Sequence, residues 1–136
     1  LAWYRQGDRK LFAQRAVVAT ALAMGLALAI RCTYYNPRPF VLGLGRMLIE
    51  HDATTSFPSF HATFLFSLAL PLVAQRDTRG TALAIFFLGL GIAWARIFVG
   101  VHYPLDMAGA FITSAIAAII ACAVFKQPIP RYKSKL

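Results

Sequence analysis

The sequence predicts an all-α fold: an integral membrane helical bundle with about four transmembrane helices, forming a single domain over residues 1–136. Three observations lead there. Of the 136 residues, 59% are hydrophobic and 14% charged, whereas an average soluble domain is roughly 25% charged. A chain this small exposes much of its surface, so so much apolar side chain cannot be hidden from water inside one globule. Four uncharged, mostly apolar stretches punctuate the chain, and the basic residues cluster between them on alternate sides. A water-soluble bundle would need helices with a continuous polar face, and none of the four stretches offers one.

The stretches are Ala16–Ile30, Ala62–Gln75, Gly80–Ala95 and Met107–Phe125. Each approaches the ~20 residues that cross a bilayer core, and Arg15, Arg31, Arg76, Arg79 and Lys126 can extend them by snorkelling. The short link between the second and third predicts an antiparallel hairpin. Small residues are dense, as in Ala-Leu-Ala-Met-Gly-Leu-Ala-Leu-Ala at 21–29, which suits close helix packing in lipid. Residues 1–15 are basic and amphipathic, the expectation for a cytoplasmic surface flank, with a second such segment in the tail at 126–136. Cys32 and Cys122 lie far apart in apolar sequence and read as buried free thiols.

The charge balance is 14 basic against 5 acidic residues, a net of +9. In a membrane chain this reports topology rather than nucleic acid, so no nucleic-acid partner is expected. Ten basic residues (Arg5, Arg9, Lys10, Arg15, Arg76, Arg79, Lys126, Arg131, Lys133, Lys135) share one face, which the positive-inside rule makes cytoplasmic. The opposite face carries residues 31–59 and 96–106, with Arg31, Arg38, Arg46 and Arg96, Glu50, Asp52, Asp106 and two of the three histidines; the third, His61, adjoins it.

Three clusters converge on that outer face. Arg31, Arg38 and Arg96 offer planar, permanently charged forks suited to phosphate oxygens. Pro58 falls near the first turn of a helix, where free backbone N–H groups and the Ser59 hydroxyl would make an anion site. Pro104 opens the last helix in the same way, with His102 just before it and Asp106 one turn on. A carboxylate there can hold one imidazole nitrogen and leave the other free to attack. His61, on another helix, can act as general acid toward a leaving oxygen. Together these describe phosphoryl transfer through a phosphohistidine, with the arginines neutralising charge and no metal or cofactor required.

These residues also carry a resemblance. Arg31-x6-Arg38-Pro39, Pro58-Ser59-Phe60-His61 and Ala95-Arg96-x5-His102-x3-Asp106 follow in order and spacing the three-part pattern Lys-x6-Arg-Pro, Pro-Ser-Gly-His and Ser-Arg-x5-His-x3-Asp. By this pattern the chain resembles the type 2 phosphatidic acid phosphatase (PAP2) family of membrane lipid phosphatases, over about residues 15–125. The segments Asn36–Phe40, Thr55–Ser59 and Val101–Asp106 look most like its bacterial undecaprenyl pyrophosphate phosphatase branch.

The resemblance implies His102 as nucleophile, Asp106 as its orienting partner, and His61 as the acid, and afterwards the base toward water. It implies Arg31, Arg38, Ser59, Phe60 through its backbone, and Arg96 as the phosphate site. The implied partners are the bilayer and a lipid (pyro)phosphate, above all undecaprenyl pyrophosphate. The implied location is a bacterial inner membrane with the site facing the periplasm. Family members commonly have six spans, and this chain starts on Leu1, so it is expected to be a piece of a longer protein. Three positions depart from the pattern: Arg31 replaces lysine, Ala95 replaces serine, and Phe60 stands where the family has glycine or aspartate. The Phe60 ring either faces lipid or substrate chain, or it crowds the site. Alternatives with the same chemistry act on phosphatidic acid, phosphatidylglycerol phosphate or lipid A phosphate, or pass the phosphate to another lipid. A lipid-phosphate binder silenced by Phe60 is the non-catalytic alternative. A small transporter would need a polar path that the four stretches lack.

Overall fold

The computed structural model describes residues 2–44, 46–73 and 76–125, with side chains from Lys10 onward. Among them the regular elements are all helical: α1 (Ala2–Thr33), a short 3-10 turn (Pro39–Leu42), α2 (Phe60–Val73), α3 (Arg76–Phe98) and α4 (Pro104–Val124). Three segments are long and apolar enough to span a membrane, Lys10–Thr33, Arg76–Phe98 and Pro104–Val124. The second expected span is shorter. The 14 residues of α2 rise about 21 Å, against a hydrocarbon core of ~30 Å. Pro71 sits inside its last turns, where it removes a helical donor. Gln75 of that stretch and the basic tail from Lys126 onward lie outside the described residues.

Large side chains point outward and small ones inward, the reverse of a soluble bundle. The buried face of α1 is Phe12, Ala16, Ala19, Ala23 and Ala27, while Val17, Leu22, Leu26 and Leu28 are exposed. On α4, Ala110, Ser114, Ala117 and Ala121 are buried, and Ile112, Ile116 and Ile119 face out. Lipid tails are as apolar as leucine, so helices there associate through close packing rather than through expulsion of water. Helix α2 is central and touches α1, α3 and α4, while α1 also packs on α4. Ala62, Phe66, Ala93, Met107 and Ala110 form the core cluster, with Phe66, Phe86 and Phe111 in tilted and edge-to-face contact.

Three of the buried hydroxyls bond to backbone carbonyls one turn earlier. Thr63 donates to Ser59 O, Thr113 to Gly109 O, and Ser114 to Ala110 O and to Thr63 O on α2. The far end of the bundle corrects one expectation. Arg15 does not snorkel: it is 7% exposed, and its guanidinium donates to the Phe125 carbonyl at the end of α4. A cation there meets the negative end of the helix dipole. The flank before it runs into the first span without a break, since α1 is continuous from Ala2. Cys32 is exposed, not buried, because its position falls on the outward face of α1.

Candidate active site

The helices alternate in direction, so the end of α1, the start of α2, the end of α3 and the start of α4 meet at one end of the bundle. The 34–59 segment closes over them. Its backbone is pinned by Ser56 N–H donating to Asn36 O, Leu48 N–H to Val99 O, and Ser59 N–H to Asp106 O. Two glycines make the approach feasible. Gly100 turns the chain out of α3 with φ +78°, and a Cβ there would lie 2.5 Å from Arg46 O. Gly109 lets the Phe57 ring lie against α4, where a Cβ would collide with it.

A cavity of about 220 Å³ opens at this end, lined by Arg31, Arg38, His51, Thr54, Phe60, His61, Arg96 and His102. Six of the eight residues expected at the site therefore share one wall. The other two stand behind it. Asp106 is fully buried and accepts from His102 Nδ1 at 3.0 Å and from the Tyr103 backbone N–H at 2.9 Å, both through Oδ2. Its Oδ1 faces Asn36 Nδ2 at 3.5 Å and Ser56 Oγ at 3.4 Å. Ser59 is fully buried as well, and its hydroxyl has no partner.

The hydrogen bond to a carboxylate puts the His102 proton on Nδ1. Its Nε2 lone pair then faces Arg38 Nη1 at 3.3 Å. Burial pushes the His102 imidazole down from its ordinary pKa; the Asp106 bond opposes this, and Arg38 and Arg96 add to it. The ring is held neutral, which is the nucleophilic form.

Arg38 is 2% exposed and held at every nitrogen. Besides His102, it donates to Thr54 O at 3.1 Å, Val101 O at 2.9 Å, Thr54 Oγ1 at 3.2 Å and Thr55 O at 3.3 Å. Burial, then the neighbouring Arg31 and Arg96, push its pKa down to about 10, which leaves it a cation at neutral pH. Arg31 donates to Pro58 O at 3.1 Å, and its guanidinium carbon sits 4.5 Å from the centre of the Phe60 ring. Arg96 donates to His51 Nε2 at 2.8 Å, while its buried Nε has no partner.

Among the described residues the three arginines form no ion pair with a carboxylate, and two buried polar atoms have no partner, so the site is short of acceptor oxygens. Buried donors are normally satisfied, and a phosphate supplies what is missing. His61 is exposed on the first turn of α2, so its ring is free to meet a group entering the cavity. Phe60 stands in the wall and the cavity remains open.

Pro58 lies two residues before α2, next to its first turn, which begins at Phe60. The Ser59 N–H is taken by Asp106 O. Sequence reasoning missed His51 and Thr54 in the wall, and Asn36 and Ser56 behind Asp106. The signal for His51 was a histidine in a polar loop on the face already bearing the arginines. Among the described residues, no group of three or more His, Cys, Asp or Glu is gathered for a metal ion.

Residues 12–129 match the PAP2 superfamily. Over 117 residues the chain is 37% identical to "Putative undecaprenyl-diphosphatase YbjG" of Escherichia coli (strain K12), covering 82% of this chain and 58% of that protein. It is 36% identical over 91 residues to "Undecaprenyl-diphosphatase BcrC" of Bacillus subtilis (strain 168), covering 67% and 46%. It is 31% identical over 116 residues to "Bacitracin transport permease protein BcrC" of Bacillus licheniformis, covering 85% and 56%. The chain thus spans about half the length of the curated relatives it matches. No solved structure matches it.

Proposed function

Since the chain belongs to the PAP2 superfamily, we propose that it is a membrane lipid phosphatase removing the terminal phosphate of a lipid (pyro)phosphate, with undecaprenyl pyrophosphate its foremost substrate. The observation that carries the chemistry is the His102–Asp106 pair at 3.0 Å, with the second imidazole nitrogen turned into an arginine-lined cavity. The two relatives named as undecaprenyl-diphosphatases support the choice of substrate.

In the proposed reaction His102 Nε2 attacks the terminal phosphorus. The N–P bond forms as the bridging P–O bond breaks, and His61 gives its proton to the departing lipid phosphate. Arg31, Arg38 and Arg96 hold the phosphoryl oxygens, with the Ser59 hydroxyl and the Phe60 backbone completing the cradle, and offset the charge that develops on them. Water, deprotonated by the now neutral His61, attacks the phosphohistidine; inorganic phosphate leaves and His102 is regenerated. Asp106 holds the tautomer and offsets the positive charge of the phosphorylated ring. The lipid chain stays among the helices and the bilayer throughout. The charge pattern supports a cytoplasmic location for the basic end at Arg15, Arg76 and Arg79, which puts the reaction on the periplasmic side of a bacterial inner membrane.

The test is phosphate release by the purified full chain in detergent, offered undecaprenyl pyrophosphate, phosphatidic acid and phosphatidylglycerol phosphate in parallel. Release from the first above the others is expected, and His102→Ala abolishes it. Preference for a glycerolipid would replace the substrate; release from none of the three would overturn the reading.

A further inference from the structure

Among the three arginines at the site, Arg96 is the one least held by the protein. Arg38 makes five hydrogen bonds, and Arg31 has Pro58 O and the Phe60 ring. The Arg96 guanidinium has one side-chain hydrogen bond among the described residues, to His51 Nε2 at 2.8 Å. Its Nε is buried and unpartnered. A long side chain held by one contact loses rotamer freedom on binding unless something fixes it beforehand.

The tautomer of His51 is determined by its neighbours. Nδ1 lies 3.1 Å from the Asp52 carbonyl, so it carries the proton and donates. Nε2 is left as an acceptor, which a guanidinium needs. A carboxylate in this place would hold Arg96 as firmly, but it would cancel the charge wanted for phosphate. A neutral imidazole aims the cation and leaves its charge intact.

Resting on the phosphatase reading above, we propose that His51 is a positioning residue: it pre-orients Arg96 so that this arginine meets the phosphoryl oxygens already in place. His51 does not enter the bond-making steps. It acts on substrate binding, by accepting from Arg96 through Nε2. The charged and titratable groups around it are Arg31 from α1, Arg38 and Asp52 from the loop, His61 from α2, Arg96 from α3 and His102 before α4. Asp52 is the single acidic group in that set.

The experiment compares wild type, His51→Ala and His51→Gln as the full chain in detergent, with KM and kcat measured against undecaprenyl pyrophosphate across pH. In parallel, the affinity for inorganic phosphate is measured by calorimetry. Loss of one hydrogen bond to a charged group predicts a KM raised roughly tenfold in His51→Ala, with kcat within about threefold and phosphate bound correspondingly more weakly. The glutamine oxygen can accept from Arg96, so His51→Gln restores KM and phosphate affinity. An unchanged KM and phosphate affinity in His51→Ala overturns the proposal, as does His51→Gln behaving like alanine. A wild type that binds phosphate but hydrolyses no lipid phosphate overturns the phosphatase reading, while the calorimetric arm still decides the role of His51.

Discussion

Asp106→Asn is the sharpest perturbation of the proposed chemistry, because it changes charge while nearly preserving shape. The carboxylate is fully buried. Its Oδ2 takes the protons of His102 Nδ1 and the Tyr103 N–H, and its Oδ1 faces Asn36 Nδ2 and Ser56 Oγ. An asparagine has one oxygen for these two positions. With that oxygen toward His102 the tautomer survives, but the amide NH2 then confronts the Asn36 amide. With the amide reversed, its N–H points at Nδ1 and forces the imidazole proton onto Nε2, the attacking atom. The gentler arrangement loses the difference between a charged and a neutral acceptor. A hydrogen bond to a charged group is worth about 1.5–3 kcal/mol net and one to a neutral group about 0.5–1.5 kcal/mol, a difference of about 1–1.5 kcal/mol, so kcat falls about 5- to 13-fold, and the reversed amide takes it lower still. The assay is single-turnover phosphate release at saturating lipid, with thermal unfolding in detergent as the control for folding. A folded Asp106→Asn protein with kcat within about threefold of wild type would refute the orienting role.

Three further outcomes follow from the geometry. His102 is pushed below the ordinary imidazole value of about 6.5 by burial and by Arg38 and Arg96, so its neutral form persists as pH falls through that value. The acid limb of kcat/KM therefore lies below pH ~6.5, and a limb well above it would contradict the assignment. Phe60→Gly removes the ring 4.5 Å from the Arg31 guanidinium; a cation–π contact of about 0.5–1 kcal/mol predicts KM raised two- to fivefold, whereas a large gain in kcat would favour the silenced-binder reading. Gly109→Ala drives a Cβ into the Phe57 ring and costs about 1–3 kcal/mol by overpacking, seen as a lower melting temperature; an unchanged melt would mean that Phe57 yields freely.

The spans, the three motifs and their meeting at one end were legible because they rest on side-chain identity. Apolar runs, arginine spacing and the His102-x3-Asp106 interval are all properties of letters in a row. The acceptors that hold Arg38, namely Thr54 O, Thr55 O and Val101 O, are backbone carbonyls, and any residue provides one. The same is true of Phe125 O, which takes Arg15 out of lipid and water alike. The bond from the Ser59 N–H to the carbonyl of Asp106 likewise joins backbone to backbone, across 47 positions. His51 escaped for a related reason: it reaches Arg96 across 45 positions of chain, through a loop with no periodicity to follow.

The proposed covalent mechanism requires that phosphate pass through His102. That is decided by the stereochemical course at a terminal phosphorothioate made chiral with two oxygen isotopes and hydrolysed in water carrying the third. Two in-line displacements, first by His102 and then by water, each invert the centre and give net retention in the released thiophosphate. Net inversion would show water attacking the substrate directly, and the proposed covalent mechanism would be wrong.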